Sequence, residues 1–281
     1  GDLMDAITEH LNNKVTFEQD IPKFAIIGRP NVGKSSLVNA LVGKERNLVT
    51  PVAGTTRDSV HTHYSKFGKD FILVDTAGLR KKAKVKENIE FYSVMRAIRS
   101  IEEAEVCFLM IDASRGMESQ DLAIFSLAKD RNKGIVILVN KWDLIEKETN
   151  TAREYEEMIR DRTAPFRDVP IIFISATEKQ RISKVLDIGL DVYERRSQRI
   201  STSKLNKILQ PIIEQTPPPI HKGRTPKIKY ITQVKTYFPA FAFFCNHPDH
   251  VKPSYRQFLE NQLRKHFNFT GVPIGLYFRQ K

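Results

Sequence analysis

Two patterns of apolar and polar positions alternate along residues 23 to 199. Short apolar runs predict strands, and stretches with apolar residues three and four positions apart predict helices. Four of the runs are almost continuously apolar, which is typical of parallel strands buried on both faces. The predicted strands are Lys23–Ile27, His61–Lys66, Phe71–Asp75, Val106–Asp112, Ile135–Asn140 and Ile171–Ile174. The predicted helices are Ser35–Val42, Glu87–Ile101, Ser119–Asp130, Thr151–Asp161 and Ile182–Arg199. This alternation predicts an α/β fold, a mostly parallel sheet with helices on both faces.

The pattern changes after residue 200. Ser201 and Thr202 are good helix caps, and apolar residues at helical spacing continue to about Gln215, before prolines at 217–219 end the helix. The next elements are two strands, a helix and a strand, predicted at Lys227–Tyr237, Phe241–Cys245, Pro253–Phe267 and Ile274–Arg279. The order αββαβ predicts a smaller α+β domain at residues 200–281, after an α/β domain at residues 21–199.

Composition is that of an ordinary globular protein. The 281 residues are enough for about two domains, and 41% hydrophobic residues are enough for a packed core in each. No apolar stretch approaches the roughly 18 residues of a membrane span, and the first residues do not resemble a signal peptide. Cys107 and Cys245 lie in apolar runs, so we expect buried thiols in a reducing compartment, the cytoplasm.

Positive charge is concentrated in the C-terminal part. The formal charge of the chain is +12, and residues 201–281 contain thirteen Lys and Arg against three Asp and Glu. Such asymmetry indicates a nucleic-acid partner for the C-terminal domain. A solvated basic surface without a partner is the alternative, because charge alone is a weak signal.

A glycine-rich segment lies between the first predicted strand and the first predicted helix. Residues 28–36 read GRPNVGKSS, which fits the pattern G-x-x-x-x-G-K-[ST] of phosphate-binding loops. Glycines let backbone N–H groups approach phosphate oxygens, and the helix N-terminus favours negative charge. Lys34 would reach the β- and γ-phosphates, and the hydroxyl of Ser35 would bind Mg²⁺. The residues expected around the phosphates are Asn31, Val32, Gly33, Lys34, Ser35 and Ser36.

A second phosphate-facing segment, Asp75 to Gly78, follows the predicted strand Phe71–Asp75. Ligands of parallel α/β sheets bind at the carboxyl ends of the strands, so the Asp75 carboxylate would face the glycine-rich loop and hold Mg²⁺. Gly78 has no side chain, so its N–H can approach a γ-phosphate and detect its presence.

Residues after two later strands select the base. Asp143 can accept hydrogen bonds from guanine N1–H and the exocyclic amine, whereas adenine offers no such pair of donors on that edge. Asn140 can bond guanine from the other side, and the stem of Lys141 can lie over the ring. The N–H of Ala176, within the segment Ser175, Ala176 and Thr177, would meet the guanine carbonyl oxygen. All of these segments in this order predict GTP rather than ATP.

Together these segments resemble the Ras-like GTPases and, more closely, the bacterial EngA/Der family of tandem GTPases, which assist assembly of the large ribosomal subunit. The similarity covers essentially the whole chain and rests on residues 28–36, 54–58, 75–82 and 140–143 and on the C-terminal domain. The family implies two GTPase domains followed by a KH-like domain. We therefore expect residues 1–20 to be the end of a preceding GTPase domain and a linker, with that domain acting in cis. We also expect a monomer that contacts the large ribosomal subunit and its RNA.

The resemblance implies roles for individual residues. Thr56 would close on Mg²⁺ and the γ-phosphate in the GTP state, with Thr55 as the alternative. Asn31 resembles the asparagine that binds K⁺ in potassium-activated GTPases of this group. Leu79 replaces the glutamine that orients water in Ras-like proteins, so hydrolysis would be slow unless another group, such as K⁺, supplies charge. The residues expected to be catalytic are Lys34, Thr56, Asp75 and Gly78. The expected metal ligands are Ser35, Thr56 and Asp75 for Mg²⁺, with Asn31 as the candidate for K⁺.

Two features bear on RNA contact. Five Lys and Arg residues lie between Arg80 and Lys86, directly after the predicted γ-phosphate sensor. GTP binding would move or order this segment and make RNA contact depend on the nucleotide, with a solvated loop as the alternative. The C-terminal domain lacks the G-x-x-G clamp of RNA-binding KH domains, so RNA contact there would come from dispersed Lys and Arg.

A GTP-hydrolysing switch in large-subunit biogenesis is the function that fits this sequence best. A GTP- and GDP-sensing binding module, in which hydrolysis is incidental, is the alternative. A tRNA-modification GTPase is disfavoured because the sequence has no C-terminal cysteine of that type. We interpret His61 and His63 as part of an exposed strand face, and the pair His247 and His250 as too sparse for a metal site.

Overall fold

The computed structural model describes residues 21–42, 51–53, 60–66, 68–76, 89–220 and 223–280. Several predicted features lie outside these ranges: the linker at 1–20, Thr55 and Thr56, Gly78, Leu79 and the basic segment 80–86.

The first sheet has seven strands in the order β2-β3-β4-β1-β5-β6-β7. They are β1 (Lys23–Ile27), β2 (Pro51–Ala53), β3 (Val60–Lys66), β4 (Lys69–Leu73), β5 (Val106–Asp112), β6 (Gly134–Asn140) and β7 (Ile171–Phe173). The five strands from β4 to β7 pair in parallel, whereas β3 is antiparallel to both β2 and β4. The prediction of an α/β fold is confirmed, and β2 is a strand that the sequence did not predict.

Five helices among the described residues cover this sheet. They are α1 (Lys34–Val42), α2 (Ile89–Glu103), α3 (Ser119–Asp130), α4 (Thr151–Arg162) and α5 (Ile182–Ser197). One apolar cluster joins the sheet to α1 and α5, and a second joins its other face to the remaining helices. Every residue of β5 and β6 is buried, as their continuous apolar runs predict. None of the described helices has both the length and the apolar character needed to cross a membrane.

Two predicted boundaries are wrong at functional positions. Strand β4 ends at Leu73, so Asp75 lies two residues beyond the strand instead of closing it. Its backbone has turned into the left-handed region with φ of 53°, which breaks the strand ladder. Helix α5 ends at Ser197 instead of Arg199, because Gln198 is extended with φ of −56° and ψ of 132°.

The C-terminal elements form a second, smaller unit. They are α6 (Thr202–Gln215), β8 (Ile228–Gln233), β9 (Ala240–Cys245), α7 (Pro253–His266) and β10 (Gly275–Gln280). The sheet order is β10-β9-β8, with β9 parallel to β10 and antiparallel to β8. The Ser201 side chain accepts a hydrogen bond from the Lys204 N–H at 3.3 Å, which is the predicted cap. The predicted strand Lys227–Tyr237 is too long by four residues at its end, where the chain turns before Pro239.

The two units are joined through the segment between α7 and β10. The Gly271 N–H donates to the Asp168 carbonyl at 2.8 Å, and the Gly271 carbonyl accepts from the Ile135 N–H at 2.7 Å. A Cβ at Gly271 would lie 2.8 Å from the Val192 side chain, so only glycine fits against α5. Sequence reasoning noted this segment only because it lacks the spacing of a KH clamp, and missed its packing role.

Arg264 on α7 holds this junction. Its Nη1 donates to the Asp168 carboxylate at 3.3 Å and to the Phe269 carbonyl at 3.1 Å, and Nη2 donates to the Val272 carbonyl at 3.0 Å. The guanidinium carbon lies 4.7 Å from the centre of the Phe166 ring. With a side chain only 12% exposed, Arg264 is a bridge between the two units.

Candidate functional site

The residues predicted to bind a ligand follow β1, β6 and β7, so they share one edge of the first sheet. This is the carboxyl edge, where open α/β sheets bind ligands. The junction with the C-terminal unit lies at the opposite edge, because Ile135 is near the amino end of β6 and Asp168 precedes β7.

Close packing dictates the glycines of the loop after β1. Gly28 has φ of 141°, and a Cβ there would lie 2.4 Å from the Met110 carbonyl oxygen. Gly33 has φ of 101°, and a Cβ there would lie 2.2 Å from Asn140 Nδ2. Asn31 also has positive φ, at 64°, and its side chain is exposed at the rim of the loop. The loop therefore keeps a conformation that brings its backbone close to whatever binds at this edge.

Lys34 begins α1 and folds back over the loop. Its Nζ donates to the Gly28 carbonyl at 2.7 Å and to the Arg29 carbonyl at 2.5 Å. Burial lowers the Lys34 pKa to about 8, with a smaller opposing effect from the Asp121 carboxylate. A partly buried ammonium group at a helix N-terminus is suited to an anion, and Ser35 and Ser36 expose hydroxyls in the same turn. This cradle fits the phosphates of a nucleotide.

Asn140 connects three of the predicted segments. Its Nδ2 donates to the Val32 carbonyl in the glycine-rich loop at 2.8 Å. Its Oδ1 accepts from the Ala176 N–H at 2.9 Å. Asn140 is buried, so both hydrogen bonds are shielded from water. The structure thus brings the loop, the segment after β6 and the segment after β7 together.

Lys141 and Asp143 flank a buried tryptophan in the segment after β6. Lys141 has φ of 63°, and its Nζ donates to the Asp112 carboxylate at 2.5 Å. Burial works against the Asp112 charge, but hydrogen bonds from Lys141 and Ser114 outweigh it and hold the Asp112 pKa below its ordinary value. Trp142 packs on Phe173 with ring centres 4.2 Å apart. Asp143 lies in the short 3₁₀ turn that follows and is half-buried.

The segment after β7 forms a tight turn. The Ser175 hydroxyl accepts from the Glu178 N–H at 3.1 Å, and Ser175 is paired in an isolated bridge with Gln180. Ala176 is buried and Thr177 is exposed. The turn therefore holds the Ala176 N–H against Asn140 while Thr177 faces solvent.

Asp75 lies against α2. Its carboxylate accepts from the Ser100 hydroxyl at 3.4 Å and lies 3.5 Å from Arg96 Nε. The Asp75 N–H donates to Nδ1 of His61 at 3.3 Å. The prediction that His61 belongs to an exposed strand face is wrong: its side chain is only 13% exposed, because it packs beside the Asp75 turn.

Magnesium prefers hard oxygen ligands, and both Ser35 and Asp75 offer them. Thr56, the third predicted ligand, and Gly78, the predicted γ-phosphate sensor, lie outside the described residues. Within the described ranges, no group of three or more His, Cys, Asp and Glu could hold a metal ion on side chains alone. The oxygens of Ser35 and Asp75 fit Mg²⁺, which is commonly bound by one or two protein oxygens together with substrate phosphates.

Sequence reasoning missed Arg29, which fixes the glycine-rich loop to α3. Its Nε lies 2.9 Å from the Asp121 carboxylate, its Nη1 is paired with Glu118, and Nη2 donates to the Gly116 carbonyl at 3.4 Å. Burial disfavours the Arg29 charge, but Asp121 and Glu118 outweigh it and raise the Arg29 pKa. Asp121 is fully buried and also accepts from the Glu118 N–H at the start of α3. The sequence signal that could have pointed to this contact is the capping pair Glu118 and Asp121, three residues apart at the start of α3.

Comparison with known proteins identifies the family. The family model described as "50S ribosome-binding GTPase" matches residues 23–141, and the model described as "KH-domain-like of EngA bacterial GTPase enzymes, C-terminal" matches residues 199–279. The chain belongs to the EngA/Der family of GTPases.

Relatives within the EngA/Der family are similar along the whole chain. The protein named GTPase Der from Christiangramia forsetii is 55% identical over 282 residues, and that from Bacteroides thetaiotaomicron is 56% identical over 285 residues. Each match covers 100% of this chain and 65% of the relative, so the chain spans about two thirds of its relatives' length. A crystal structure of Era from Aquifex aeolicus has a TM-score of 0.48 and 22% identity, with 93% of each chain covered.

Proposed function

We propose that this chain binds GTP together with Mg²⁺, hydrolyses it to GDP and phosphate, and uses the nucleotide state to control contact with the large ribosomal subunit. The proposal also assigns residues 21–199 to the GTPase domain, residues 200–281 to a KH-like domain, and the cytoplasm as the compartment. The bridge from Asn140 to Val32 and Ala176 is the observation that carries it. This bridge connects the phosphate loop to the two segments that select the base.

The chain's own residues would divide the work between phosphate and base. Lys34 would leave the carbonyls of Gly28 and Arg29 and bind phosphate oxygens, because a charged partner outcompetes neutral carbonyls. Asp143 would accept both guanine donors. The Ala176 N–H donates to Asn140 in the structure, so it would have to share or exchange that hydrogen bond to meet the guanine carbonyl oxygen. Ser35, Thr56 and Asp75 would hold Mg²⁺, which would supply charge stabilisation at the γ-phosphate when water attacks it in line.

The base assignment is tested with Asp143→Asn. This change replaces an acceptor by a donor, so guanine loses its partner, whereas xanthine presents a carbonyl where guanine has an amine. We expect the Asp143→Asn variant to lose at least about 100-fold in affinity for GDP. This variant should bind xanthosine diphosphate more tightly than it binds GDP. Asp130→Asn, at the exposed end of α3, is the matched control and should leave both affinities unchanged. Retention of GDP affinity by the Asp143 variant would overturn the base assignment.

Hydrolysis is tested by phosphate release in K⁺ and in Na⁺. Because Leu79 cannot orient water by hydrogen bonding, we propose that K⁺ bound by Asn31 supplies part of the missing charge. Turnover should be faster in K⁺, and Asn31→Ala should abolish that difference. Equal rates in the two salts would remove K⁺ from the proposal and leave GTP hydrolysis standing.

Contact with the ribosome is tested by co-sedimentation with large subunits at a stated salt concentration, because salt controls such affinities. A switch predicts that Thr56→Ala abolishes the difference between GTP and GDP. The alternative is a sensing module in which hydrolysis is incidental. It predicts that a variant that binds GTP but does not hydrolyse it still binds the large subunit differently with GTP and with GDP. Binding that never depends on the nucleotide would contradict both.

A further inference from the structure

The second sheet has two unlike faces. Helices α6 and α7 pack on one face, where Ile231, Phe243 and Phe278 belong to the apolar core. Residues paired across neighbouring strands share a face, and successive residues alternate between faces. The other face is called here the open face; at its edge the Thr232 hydroxyl is hydrogen-bonded at 3.0 Å to that of Thr202, the first residue of α6. The open face is formed by two rows, Tyr230–Phe244–Arg279 and Thr232–Ala242–Tyr277.

Aromatic rings on the open face are partly exposed. The Tyr230 and Phe244 rings are stacked with centres 4.4 Å apart and an angle of 9° between their planes. The Tyr277 side chain is 44% exposed and lies along the strand, since a Cβ at Gly275 would be 3.1 Å from its Cε2 atom. Phe238 reaches the same place, 3.0 Å from that Cβ position. The face therefore offers planar π-surfaces rather than a deep apolar groove.

The sequence segments that form the second sheet carry charge of one sign. The sheet and its connections come from residues 217–247 and 267–281, which contain no Asp or Glu. They contain seven basic residues: Lys222, Arg224, Lys227, Lys229, Lys235, Arg279 and Lys281. The three acidic residues after position 200 are Glu214 on α6, Asp249 in a 3₁₀ turn and Glu260 on α7. A polyanion is the partner that this distribution favours.

Extension of the sheet at β8 is blocked. Asn206 on α6 donates to the Ile231 carbonyl at 2.7 Å and accepts from the Ile231 N–H at 2.9 Å. Gln210 donates to the Lys229 carbonyl at 2.9 Å. These amide side chains occupy backbone groups that an added peptide strand would need. A peptide strand therefore cannot be added at β8 without displacing these side chains, which favours recognition through the side chains of the open face.

We propose that the open face binds unpaired nucleotides of RNA, with bases stacked on Tyr277 and on the Tyr230–Phe244 pair and a phosphate at Arg279. The inference rests on the RNA contact proposed above and names the surface that makes it. Every base has a flat π-face, so such a platform tolerates many sequences and excludes a rigid duplex. It also explains how a KH-like unit without a G-x-x-G clamp can contact RNA.

The experiment measures anisotropy of a fluorescein-labelled oligo(A) of about ten nucleotides, a length suited to a stacking platform. The chain is used at full length without added nucleotide. Tyr277→Ala should weaken binding about 5- to 100-fold, the range measured for loss of one stacked base. Tyr277→Phe keeps the ring and should bind like the parent chain. Because the Tyr277 side chain is partly exposed, we expect its variants to fold, and thermal melts are used to check this.

Salt dependence separates stacking from charge. Arg279→Ala should reduce the slope of log K against log salt by about 0.7, the value for one phosphate of a single strand. Tyr277→Ala should leave the slope unchanged. Lys265→Ala, exposed on α7 behind the opposite face, is the matched control for loss of one charge and should change the slope less than Arg279→Ala does.

Four results would overturn the proposal. Unchanged affinity in Tyr277→Ala would exclude the open face while leaving RNA contact in place. No RNA binding by the parent chain would overturn the RNA contact as well. Preference for a duplex, or a Tyr277→Ala effect confined to self-association, would assign the face to another partner. GDP binding, measured in the same variants, should stay unchanged, so failure here is distinct from failure of the GTP assignment.

Discussion

The side-chain amide of Asn140 donates to the backbone carbonyl of Val32 at 2.8 Å. These residues are far apart in sequence and lie in two segments for which we propose different tasks, one at the phosphates and one at the base. The same side chain accepts from Ala176, so a single buried residue sets the spacing of the whole site.

Asn140→Ala is expected to damage both stability and binding. It leaves the Val32 carbonyl and the Ala176 N–H buried without this partner, at about 1–3 kcal/mol for each group. Urea unfolding should show a loss of about 2–4 kcal/mol, and GDP affinity should fall with it. Asn39→Ala, at an exposed position on α1, should change stability by less than about 0.5 kcal/mol. If Asn140→Ala changed neither stability nor GDP affinity, the bridging role of Asn140 would be contradicted.

Removing one partner of the ion pair between Arg29 and Asp121 is expected to destabilise the fold more than replacing both residues does. Arg29→Met leaves a fully buried carboxylate without its guanidinium partner, which costs about 3–5 kcal/mol. Adding Asp121→Leu should recover part of that loss, and a double-mutant cycle measures the coupling. Exposed Arg153 and Glu157 provide the comparison, for which coupling should stay below about 0.5 kcal/mol. Equal coupling energies in the two pairs would contradict the conclusion that the buried pair of Arg29 and Asp121 stabilises the loop.

Nucleotide affinity is expected to fall as the pH rises through about 8. Burial lowers the Lys34 pKa to about 8 in the free chain, whereas bound phosphate favours the charged form. Above that pH, binding must first return a proton to Lys34. Affinity for GDP should therefore fall about tenfold between pH 7 and 9, with proton uptake visible by calorimetry in different buffers. Lys34→Met should bind GDP weakly, and its affinity should not change with pH in this range. If the pH dependence persisted in this variant, it would come from a group other than Lys34.

Arg264→Ala is expected to loosen the junction of the two units. It removes hydrogen bonds to Asp168, Phe269 and Val272 and the contact with the Phe166 ring. We expect a loss of about 2–4 kcal/mol and unfolding in two steps instead of one. The neighbouring Lys265→Ala, at an exposed position, serves as control. An unchanged single transition in Arg264→Ala would show that the junction does not depend on this residue.

Local pattern was sufficient for most of the first domain. Strands β1 and β5 and helix α3 have the predicted bounds, because continuous apolar runs and clear helix ends specify them without reference to the rest of the chain. The glycine-rich loop was predictable for a related reason: its residue types follow from backbone approach to a phosphate.

Long-range packing was not predictable. The roles of Arg29 and Arg264 depend on carboxylates at Asp121 and Asp168, about a hundred residues away in each case. The half-buried position of His61 depends on the turn at Asp75, which the strand pattern concealed. No local periodicity encodes such contacts, since they arise when separate elements dock.

The direct test of the central claim is isothermal calorimetry of the full chain with GDP and with ADP, in Mg²⁺ at fixed salt. If Asn140, Asp143 and Ala176 form a guanine site, GDP should bind at least about 100-fold more tightly than ADP, because adenine leaves the Asp143 carboxylate without its donors. Equal affinities for the two nucleotides would contradict the account.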